Sequence, residues 1–270
     1  MIENYEKFKY GSRSEQNQFS FWWDKVKDCG IPVPETVVIQ TPPELARNFY
    51  MDDPEQDEAA IRQWVNEAVN PVLQASPLKN HPLFIKNSVF SNKFCAKHCM
   101  AMPGEDIVWH IINIQYAALC CMGFGPTGEN EFVFRRQILR NQAQTPCIYE
   151  GLPLRPEFRV FYDFDKHEVI FAVNYWDYDY VAPHLYDRTD KIVFDAMKDE
   201  ISEAFQNHHA EIEKLVAEHM KNVEGLHGPW SVDIMLNGET PWLIDMAVAE
   251  ESAYWDKRPG QNVPAGKEVQ

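Results

Sequence analysis

Two aspartates occupy matching positions in a predicted β-hairpin near the end of the chain. In WSVDIMLNGETPWLIDM (residues 230–246), Asp233 and Asp245 each alternate with apolar residues, and Asn-Gly-Glu-Thr-Pro between the two runs is typical turn sequence. A five-residue loop pairs Leu236 with Trp242 and places the aspartates opposite each other on one face. Like charges opposed across strands are destabilising, and a divalent cation is the simplest group that would make this pairing favourable.

A second register of this hairpin is also open. A two-residue Asn-Gly turn would place the two aspartates on opposite faces. It would also seat Pro241 inside the ladder, where the proline nitrogen cannot donate, so we expect the five-residue loop. A hard cation such as Mg²⁺ takes carboxylate oxygens and usually substrate phosphates as well. The hairpin therefore predicts a magnesium site that is shared with phosphate groups.

Basic residues that could hold those phosphates lie on other predicted strands. Lys86 lies in PLFIKN (residues 82–87) on the same face as Phe84, although lysine is depleted in strands. The loop that follows offers polar donors at Ser88, Ser91, Asn92 and Lys93. The structural alternative for Lys86 is an edge-strand lysine that faces water.

Arginines at two further strands support the same chemistry. Arg135 and Arg136 end the predicted strand EFVFRRQIL, where they could also be solvated charges. Glu157 and Arg159 project to one face of EFRVFYD, which could equally be the wet side of a sheet. Cations for phosphates and two carboxylates for a metal are the set that phosphoryl or nucleotidyl transfer needs. No G-x-G-x-x-G, nucleophile elbow or Ser-His-Asp order argues for a dinucleotide fold or a hydrolase triad.

Composition limits the classes of partner. The formal net charge of −16 argues against a broad nucleic-acid platform, although a local basic groove would be compatible with it. The six cysteines show no secreted framework spacing, and the first residues do not read as a signal peptide. We therefore expect reduced thiols and a cytoplasmic protein. The longest apolar run, residues 107–124, contains His110 and Gln115, which favours a buried helix over a membrane span. Cys95, His98 and Cys99 lack a second ligand pair at the usual spacing, so no zinc site is predicted.

The predicted elements follow an α+β order with antiparallel hairpins, without strict βαβ alternation. In chain order they are a helix over 19–29, a strand in IPVPETVVIQ, helical residues 42–75, a strand over 82–87, a helix over 106–121, strands over 131–139, 157–163 and 168–176, a Tyr- and Asp-rich loop over 177–191, a helix over 194–223, the hairpin and a loose tail.

Taken together, the motifs GIPVPET, FIKNSVFSNK, FVFRRQIL, LRPEFRVFY, VNYW and the final hairpin resemble the ATP-grasp superfamily in order and spacing. The similarity is greatest to its phage-type predicted RNA-ligase-like branch and to the cell-division-cycle chaperones that assemble a translation initiation factor. It covers residues 20–255. It implies two α+β lobes whose antiparallel sheets grip ATP, with a small N-terminal α/β segment. The implied boundaries are 1–76 for the N-terminal segment, 77–140 for the small lobe and hinge, 141–258 for the large lobe with the metal site, and 259–270 for the tail.

The resemblance also implies roles for individual residues. Lys86 contacts the nucleotide phosphates, and the residues of the loop that closes over them are Ser88, Ser91 and Lys93. The hinge residues nearest the adenine are Arg136, Gln137, Ile138 and Leu139. Glu157 and Arg159 face the active site, with Arg159 directed at the transferred phosphate. Asp233 and Asp245 bind Mg²⁺.

One position departs from the family pattern. The last metal ligand is usually an asparagine two positions after the second acidic residue, and Ala247 stands there. Glu250, Glu251 or Ser252 could substitute, or the site could bind one metal instead of two. The residues therefore argue more firmly for Mg-ATP binding than for completed catalysis.

The resemblance implies an ATP-dependent ligase that forms an acyl-phosphate-like intermediate and joins it to an amine or another nucleophile. A small amine, a peptide and an RNA end all fit as the acceptor. The alternatives are an ATP-binding assembly chaperone or protein-binding module without ligase activity, and a structural protein with solvated aspartates. The segment at residues 176–187 could stack a base, form an interface or act as a lid. The ligase hypothesis predicts that Asp233→Asn or Lys86→Ala abolishes ATP turnover and leaves the fold intact.

Overall fold

The fold is built on two four-stranded antiparallel sheets, with helices packed against them. The structure is a computed structural model that describes residues 15–45, 53–120, 131–139 and 145–259. The long helix Arg188–Met220 connects two strands of the second sheet. The predicted α+β class with antiparallel sheets is therefore confirmed, and the order of the elements agrees with the sequence. The predicted tail over 259–270 lies outside the described residues from position 260 onward, and the predicted lobe boundaries remain predictions.

The first sheet has the strand order β1-β4-β2-β3. Its strands are β1 (Thr36–Gln40), β2 (Leu83–Asn87), β3 (Met100–Ala101) and β4 (Glu131–Arg136). One face packs Ile85, Phe132 and Phe134, all fully buried, against helices. The alternate residues of β2 and β4 face the second sheet, as the period of two requires.

Helices that follow β1 and β2 cover the first sheet. Counting along the chain after the first helix α1 (Phe19–Val26), they are α2 (Pro54–Trp64), α3 (Asn70–Ala75), the short α4 (Ala96–Cys99) and α5 (Ile107–Cys120). A π-helical stretch, Val65–Val69, joins α2 to α3. Pro71 explains this stretch, because proline has no N–H with which to continue the α-helical pattern.

The second sheet has the strand order β10-β9-β7-β8 and packs against two helices. Its strands are β7 (Glu157–Asp163), β8 (Glu168–Asn174), β9 (Pro229–Asn237) and β10 (Thr240–Val248). Two two-residue strands, β5 (Cys147–Ile148) and β6 (Leu152–Pro153), precede it as a separate hairpin. In the hydrophobic core of the second sheet, strand residues pack against α1 and against the 33-residue helix α7 (Arg188–Met220). The N-terminal residues are thus shared between the sheets, since α1 packs on the second and β1 belongs to the first.

The register of the final hairpin differs from the predicted one near its turn. Asn237 pairs with Thr240 and Pro241 pairs with Leu236, so the loop has two residues and the predicted pairing of Leu236 with Trp242 is wrong. Because β10 is an edge strand, a proline nitrogen in it is tolerated. Gly238, with φ of +66°, supplies the turn conformation.

A bulge restores the pairing that matters for the chemistry. The register shifts between Leu243 and Asp245, and Asp245 then lies opposite Asp233. One extra residue in the bulged strand compensates for the shorter loop. The predicted opposition of the two aspartates is therefore confirmed, although the predicted loop is not.

Two predicted boundaries change for identifiable reasons. The strand predicted over 131–139 ends at Arg136, since Gln137 donates to the Pro82 carbonyl but Pro82 has no N–H to return the bond. The helix predicted from 194 begins at Arg188, because the Asp187 side chain caps it by accepting from the backbone N–H of Thr189.

The Tyr- and Asp-rich segment predicted as a loop over 177–191 is also largely helical. It contains α6 (Tyr178–Val181) and a single helical turn before α7 begins. None of the helices in the described ranges combines the length and the apolarity needed to cross a bilayer.

Candidate functional site

A cavity of about 230 Å³ lies between the two sheets and gathers most of the predicted site residues. Ten of the twelve line it, and they are Lys86, Ser91, Lys93, Arg136, Gln137, Ile138, Glu157, Arg159, Asp233 and Asp245. Ligand pockets commonly measure roughly 300–1,000 Å³. A nucleotide would therefore fill the cavity and extend through its mouth.

Lys86 reaches across the cavity from the first sheet to the second. Its side chain is only 5% exposed, and its Nζ donates to Asp245 Oδ2 at 3.0 Å. Phe84 lines the cavity on the same side, while Leu83 and Ile85 are buried in the helix-facing core. The predicted alternation is confirmed. The alternative of an edge-strand lysine facing water is wrong, because β2 is an inner strand and Lys86 is buried.

Arg159 and Asp233 form a bidentate ion pair on neighbouring strands. Arg159 Nε donates to Asp233 Oδ1 at 2.8 Å and Arg159 Nη2 donates to Asp233 Oδ2 at 2.7 Å. The two side chains are 11% and 7% exposed. Every residue of β7 is buried, so the alternative that this face is the wet side of a sheet is wrong. Burial opposes the charged form of Arg159, but Asp233 outweighs it and raises the arginine pKa.

Each of the opposed aspartates thus has a protein cation of its own. Asp245 is half-buried, and burial would raise its pKa, but the ion pair with Lys86 and the charge of Arg135 lower it. The ion pairs with Lys86 and Arg159 offset the mutual repulsion of the two carboxylates. Carboxylate oxygens are ligands that Mg²⁺ accepts.

The described residues contain no cluster of three or more His, Cys, Asp and Glu side chains that could hold a metal. The pair consequently fits a magnesium ion that takes its remaining ligands from substrate phosphates and water. Binding of a metal and phosphates would require the two ion pairs to exchange partners. Lys86 and Arg159 would have to turn toward phosphate oxygens when the carboxylates turn toward the metal.

The positions after Asp245 do not complete a metal set. Ala247 pairs with Ser231 across the hairpin. Ser252 Oγ bonds to Ser231 Oγ at 2.8 Å, and Glu251 Oε2 accepts from Asn17 Nδ2 at 2.6 Å. Glu250 is exposed, and none of these residues lines the cavity. Among the acidic residues from 233 to 252, Asp233 and Asp245 are the two that line the cavity.

Glu157, Lys93 and Tyr175 form a second polar cluster in the cavity. Burial raises the pKa of Glu157 to about 7, against the opposing effects of Lys93 and Arg159. Lys93 Nζ donates to the Tyr175 hydroxyl and lies 3.9 Å from the centre of its ring. Burial alone would lower the pKa of Lys93, but Tyr175 and Glu157 outweigh it and raise it. Glu157 can therefore exchange a proton near neutral pH, while Lys93 remains a cation.

Arg135, for which the sequence left both a phosphate-binding role and a solvated strand end open, lines the cavity. It is buried, and its Nη1 donates to the Ile244 carbonyl of β10. Burial lowers the pKa of Arg135 to about 10, partly opposed by Asp245. The second arginine, Arg136, is half exposed and pairs with Glu35 at 3.0 Å. The doubled arginine at the strand end was the available signal, since both Arg135 and Arg136 line the cavity.

The cavity also has an apolar lining. Its non-polar lining residues are Pro34, Phe84, Met100, Ile138, Leu152, Pro153, Met235 and Ile244. Arg155 also lines the cavity and donates from Nη2 to the Ile138 carbonyl at 2.9 Å. Gln137 is another lining residue, with its Nε2 3.2 Å from the Met100 sulfur. A flat apolar group such as a nucleobase suits this lining.

Two predicted site residues lie outside the cavity. Ser88 is buried, donates to Glu131 Oε1 at 2.5 Å and accepts from the backbone N–H of Phe19 at 2.8 Å. Leu139 has 59% of its surface exposed, and its carbonyl accepts from Asn237 Nδ2 at 3.1 Å. No residue of the Tyr- and Asp-rich segment over 177–191 lines the cavity, and Tyr178 stacks on Phe194.

The chain matches known proteins in structure and not in sequence. No protein-family model matches it, and no curated protein matches it in sequence. The C-terminally truncated Cdc123 of Schizosaccharomyces pombe aligns with a TM-score of 0.48 and 14% identity, over 87% of this chain and 84% of that one. The RimK-domain ATP-grasp protein of Sphaerobacter thermophilus aligns with a TM-score of 0.34 and 12% identity, over 86% and 57%.

The D-alanine–D-alanine ligase of Bacillus anthracis, solved in complex with ATP, aligns with a TM-score of 0.39 and 8% identity, over 91% of this chain and 60% of that one. Cdc123 and ATP-grasp ligases are the two kinds of protein that the motifs resemble, so that resemblance is confirmed. The phage-type resemblance stays a prediction. All three TM-scores are below 0.5, and the function of this chain must therefore be argued from its own cavity.

Proposed function

We propose that this chain binds Mg-ATP in the cavity between its two sheets and acts as an ATP-dependent ligase of the ATP-grasp type. One observation carries the proposal. Lys86, Lys93 and Arg159 line the same cavity as the opposed carboxylates of Asp233 and Asp245, and eight non-polar residues line it as well. Charged side chains for phosphates and a metal, together with an apolar lining for a base, match the two halves of a nucleotide.

The cations have a defined task in this site. Lys86 and Arg159 would bind the phosphates, and Lys93 would close over them from the loop after β2. A magnesium ion held by Asp233 and Asp245 would neutralise developing charge on the phosphates. Positioning and charge neutralisation dominate catalysis of phosphoryl transfer, and a buried, water-poor cavity strengthens both.

The proposed reaction has two steps. A carboxylate oxygen of the acceptor attacks the γ-phosphorus, an O–P bond forms, the bond to the β–γ bridging oxygen breaks, and ADP leaves. An amine then attacks the acyl carbon, a C–N bond forms, phosphate leaves, and the amine loses a proton. Glu157, whose pKa burial raises to about 7, is suited to accept that proton. A small amine, a peptide and an RNA end each fit as the nucleophile-bearing substrate.

Product analysis tests the proposal directly. The protein is incubated with Mg-ATP and candidate acceptors, and nucleotides are separated by chromatography. Acceptor-dependent ADP supports the ligase, AMP indicates a nucleotidyl-transfer ligase, and tight ATP binding without turnover refutes ligation. Lys86→Met should abolish turnover, whereas Lys79→Met, a matched change at an exposed lysine, should leave it unchanged. Equal activity of both variants would overturn the assignment of Lys86.

A second candidate is an ATP-binding assembly chaperone or protein-binding module without ligation. The observation that favours it is the incomplete ligand set, since Ala247 stands where a third ligand would be and Glu251 and Ser252 bond elsewhere. The formal charge of −16 suits a basic protein partner better than RNA. Binding of ATP without ADP or AMP formation, together with nucleotide-dependent capture of a partner, would support it. A cytoplasmic location remains a prediction from the cysteine pattern.

A further inference from the structure

Aromatic rings of the first helix contact two cations that line the cavity, Lys86 and Arg135. Phe19, at the start of α1, is fully buried. Lys86 Nζ lies 5.6 Å from the centre of its ring, and Arg135 Cζ lies 5.4 Å from the same centre. The ring of Trp23, one turn along α1, is also 5.4 Å from Arg135 Cζ. These distances fall within the range in which a ring face attracts a cation.

The position of this helix is fixed by buried polar bonds to the first sheet. The first N–H groups of a helix have no partner within it, and Gln18 provides no side-chain cap for α1. The Phe19 N–H donates to Ser88 Oγ at 2.8 Å, and the Ser20 N–H donates to Glu131 Oε1 at 3.0 Å. Glu131 is buried and also accepts from Ser88. Ser88 therefore anchors α1, which explains its place outside the cavity.

The same N-terminal segment holds the strand that carries Asp245. Asn17 Oδ1 accepts from the Val248 N–H at 2.7 Å, and the Pro32 carbonyl accepts from the Leu243 N–H at 2.9 Å. These two bonds bracket Asp245 along β10. Residues 17–32 thus contact both sheets beside the charged residues of the cavity.

We propose that Phe19 is a positioning residue for the phosphate end of the site, and that its ring face orients Lys86 and Arg135 toward the bound anion. The inference rests on the proposed nucleotide site. Lys86 has one carboxylate partner, Asp245, and would have to release it when a metal and phosphates bind. The aromatic ring provides a second, uncharged contact that the lysine keeps throughout this exchange. The N-terminal helix is therefore part of the site.

A fluorination series at Phe19 separates this role from simple space filling. Adding one, two or three fluorines to the ring weakens its negative face and changes its volume little. ATP affinity should fall stepwise along the series, by about three- to thirty-fold in total for a desolvated cation–ring contact. The matched control is Phe194, a fully buried ring that stacks on Tyr178, where the same series should leave affinity unchanged. A flat response at Phe19 would overturn the proposal.

A stability measurement tests the contact without nucleotide. Phe19→Leu and Arg135→Met are made singly and together, and the urea midpoints of the four proteins are compared. Coupled effects, with the double variant less destabilised than the sum, support the contact. Additive effects overturn it. If the unmodified chain binds no ATP, the proposed function fails, whereas this cycle still decides whether the ring holds Arg135.

Discussion

Replacing Asp233 by asparagine should destabilise the fold as well as remove a metal ligand. The sequence suggested that this change would spare the fold, because it presented Asp233 only as an acid facing another acid. In the structure Asp233 holds both ends of the Arg159 guanidinium, and both side chains are nearly inaccessible. The substitution leaves a buried arginine without its anion.

The expected loss of folding stability follows from the burial of the Arg159–Asp233 ion pair. Removing one partner of a buried ion pair costs about 3–5 kcal/mol, and single domains are stable by only about 5–15 kcal/mol in total. We expect Asp233→Asn to lower the free energy of unfolding by about 3 kcal/mol. Replacing both partners, with Arg159→Met and Asp233→Leu, should cost less than the single change, since no charge remains buried. Asp245→Asn should cost less than Asp233→Asn, because the Asp245 side chain is 39% exposed and meets Lys86 through one contact, whereas Asp233 is buried and meets Arg159 through two.

Urea unfolding at neutral pH, followed by tryptophan fluorescence and circular dichroism, measures all three variants. The ranking is the test, with Asp233→Asn least stable, the double replacement intermediate and Asp245→Asn nearest to the unmodified chain. Each variant should also lose ATP turnover. Equal stability of Asp233→Asn and Asp245→Asn, or a double replacement as unstable as the single one, would refute the reasoning.

Three other expectations follow from the same cavity. Because burial raises the pKa of Glu157 from 4.5 to about 7, the folded chain holds a proton there that the unfolded chain has released, so stability should fall as pH rises through this window; Glu157→Gln should flatten that fall in urea titrations, and an unchanged slope would contradict the assignment. Ala247→Asn adds an oxygen ligand on the strand of Asp245, so the magnesium concentration giving half-maximal ATP binding should drop by several-fold in calorimetry, whereas no change would mean that position 247 does not reach the metal. Tyr175→Phe removes the hydroxyl that Lys93 contacts and should weaken ATP binding by about ten- to hundredfold, as expected for a bond to a charged group; equal affinity would show that the loop closes without this bond.

The side chains that share a face of a strand could be predicted from the sequence, because alternation along a strand is a local property. The period of two separated Phe84 and Lys86 from Leu83 and Ile85, and the structure places these pairs on opposite sides of β2. The same rule brought Glu157 and Arg159 together in the cavity. The turn between β9 and β10 could not be predicted in the same way. A two-residue loop with a bulge and a five-residue loop place Asp233 and Asp245 opposite each other equally well. Local sequence did not distinguish the two solutions.

The sequence by itself determined the α+β class, the order of the strands along the chain and the set of charged residues that face one cavity, because alternation and turn residues act over a few positions. Only the tertiary structure decided which charges neutralise each other. The pairs Lys86–Asp245 and Arg159–Asp233 join residues 159 and 74 positions apart, and no local pattern encodes such distances. The tertiary structure also placed Phe19 beneath two of the cations, since the packing of a helix against two sheets depends on the surfaces of all three.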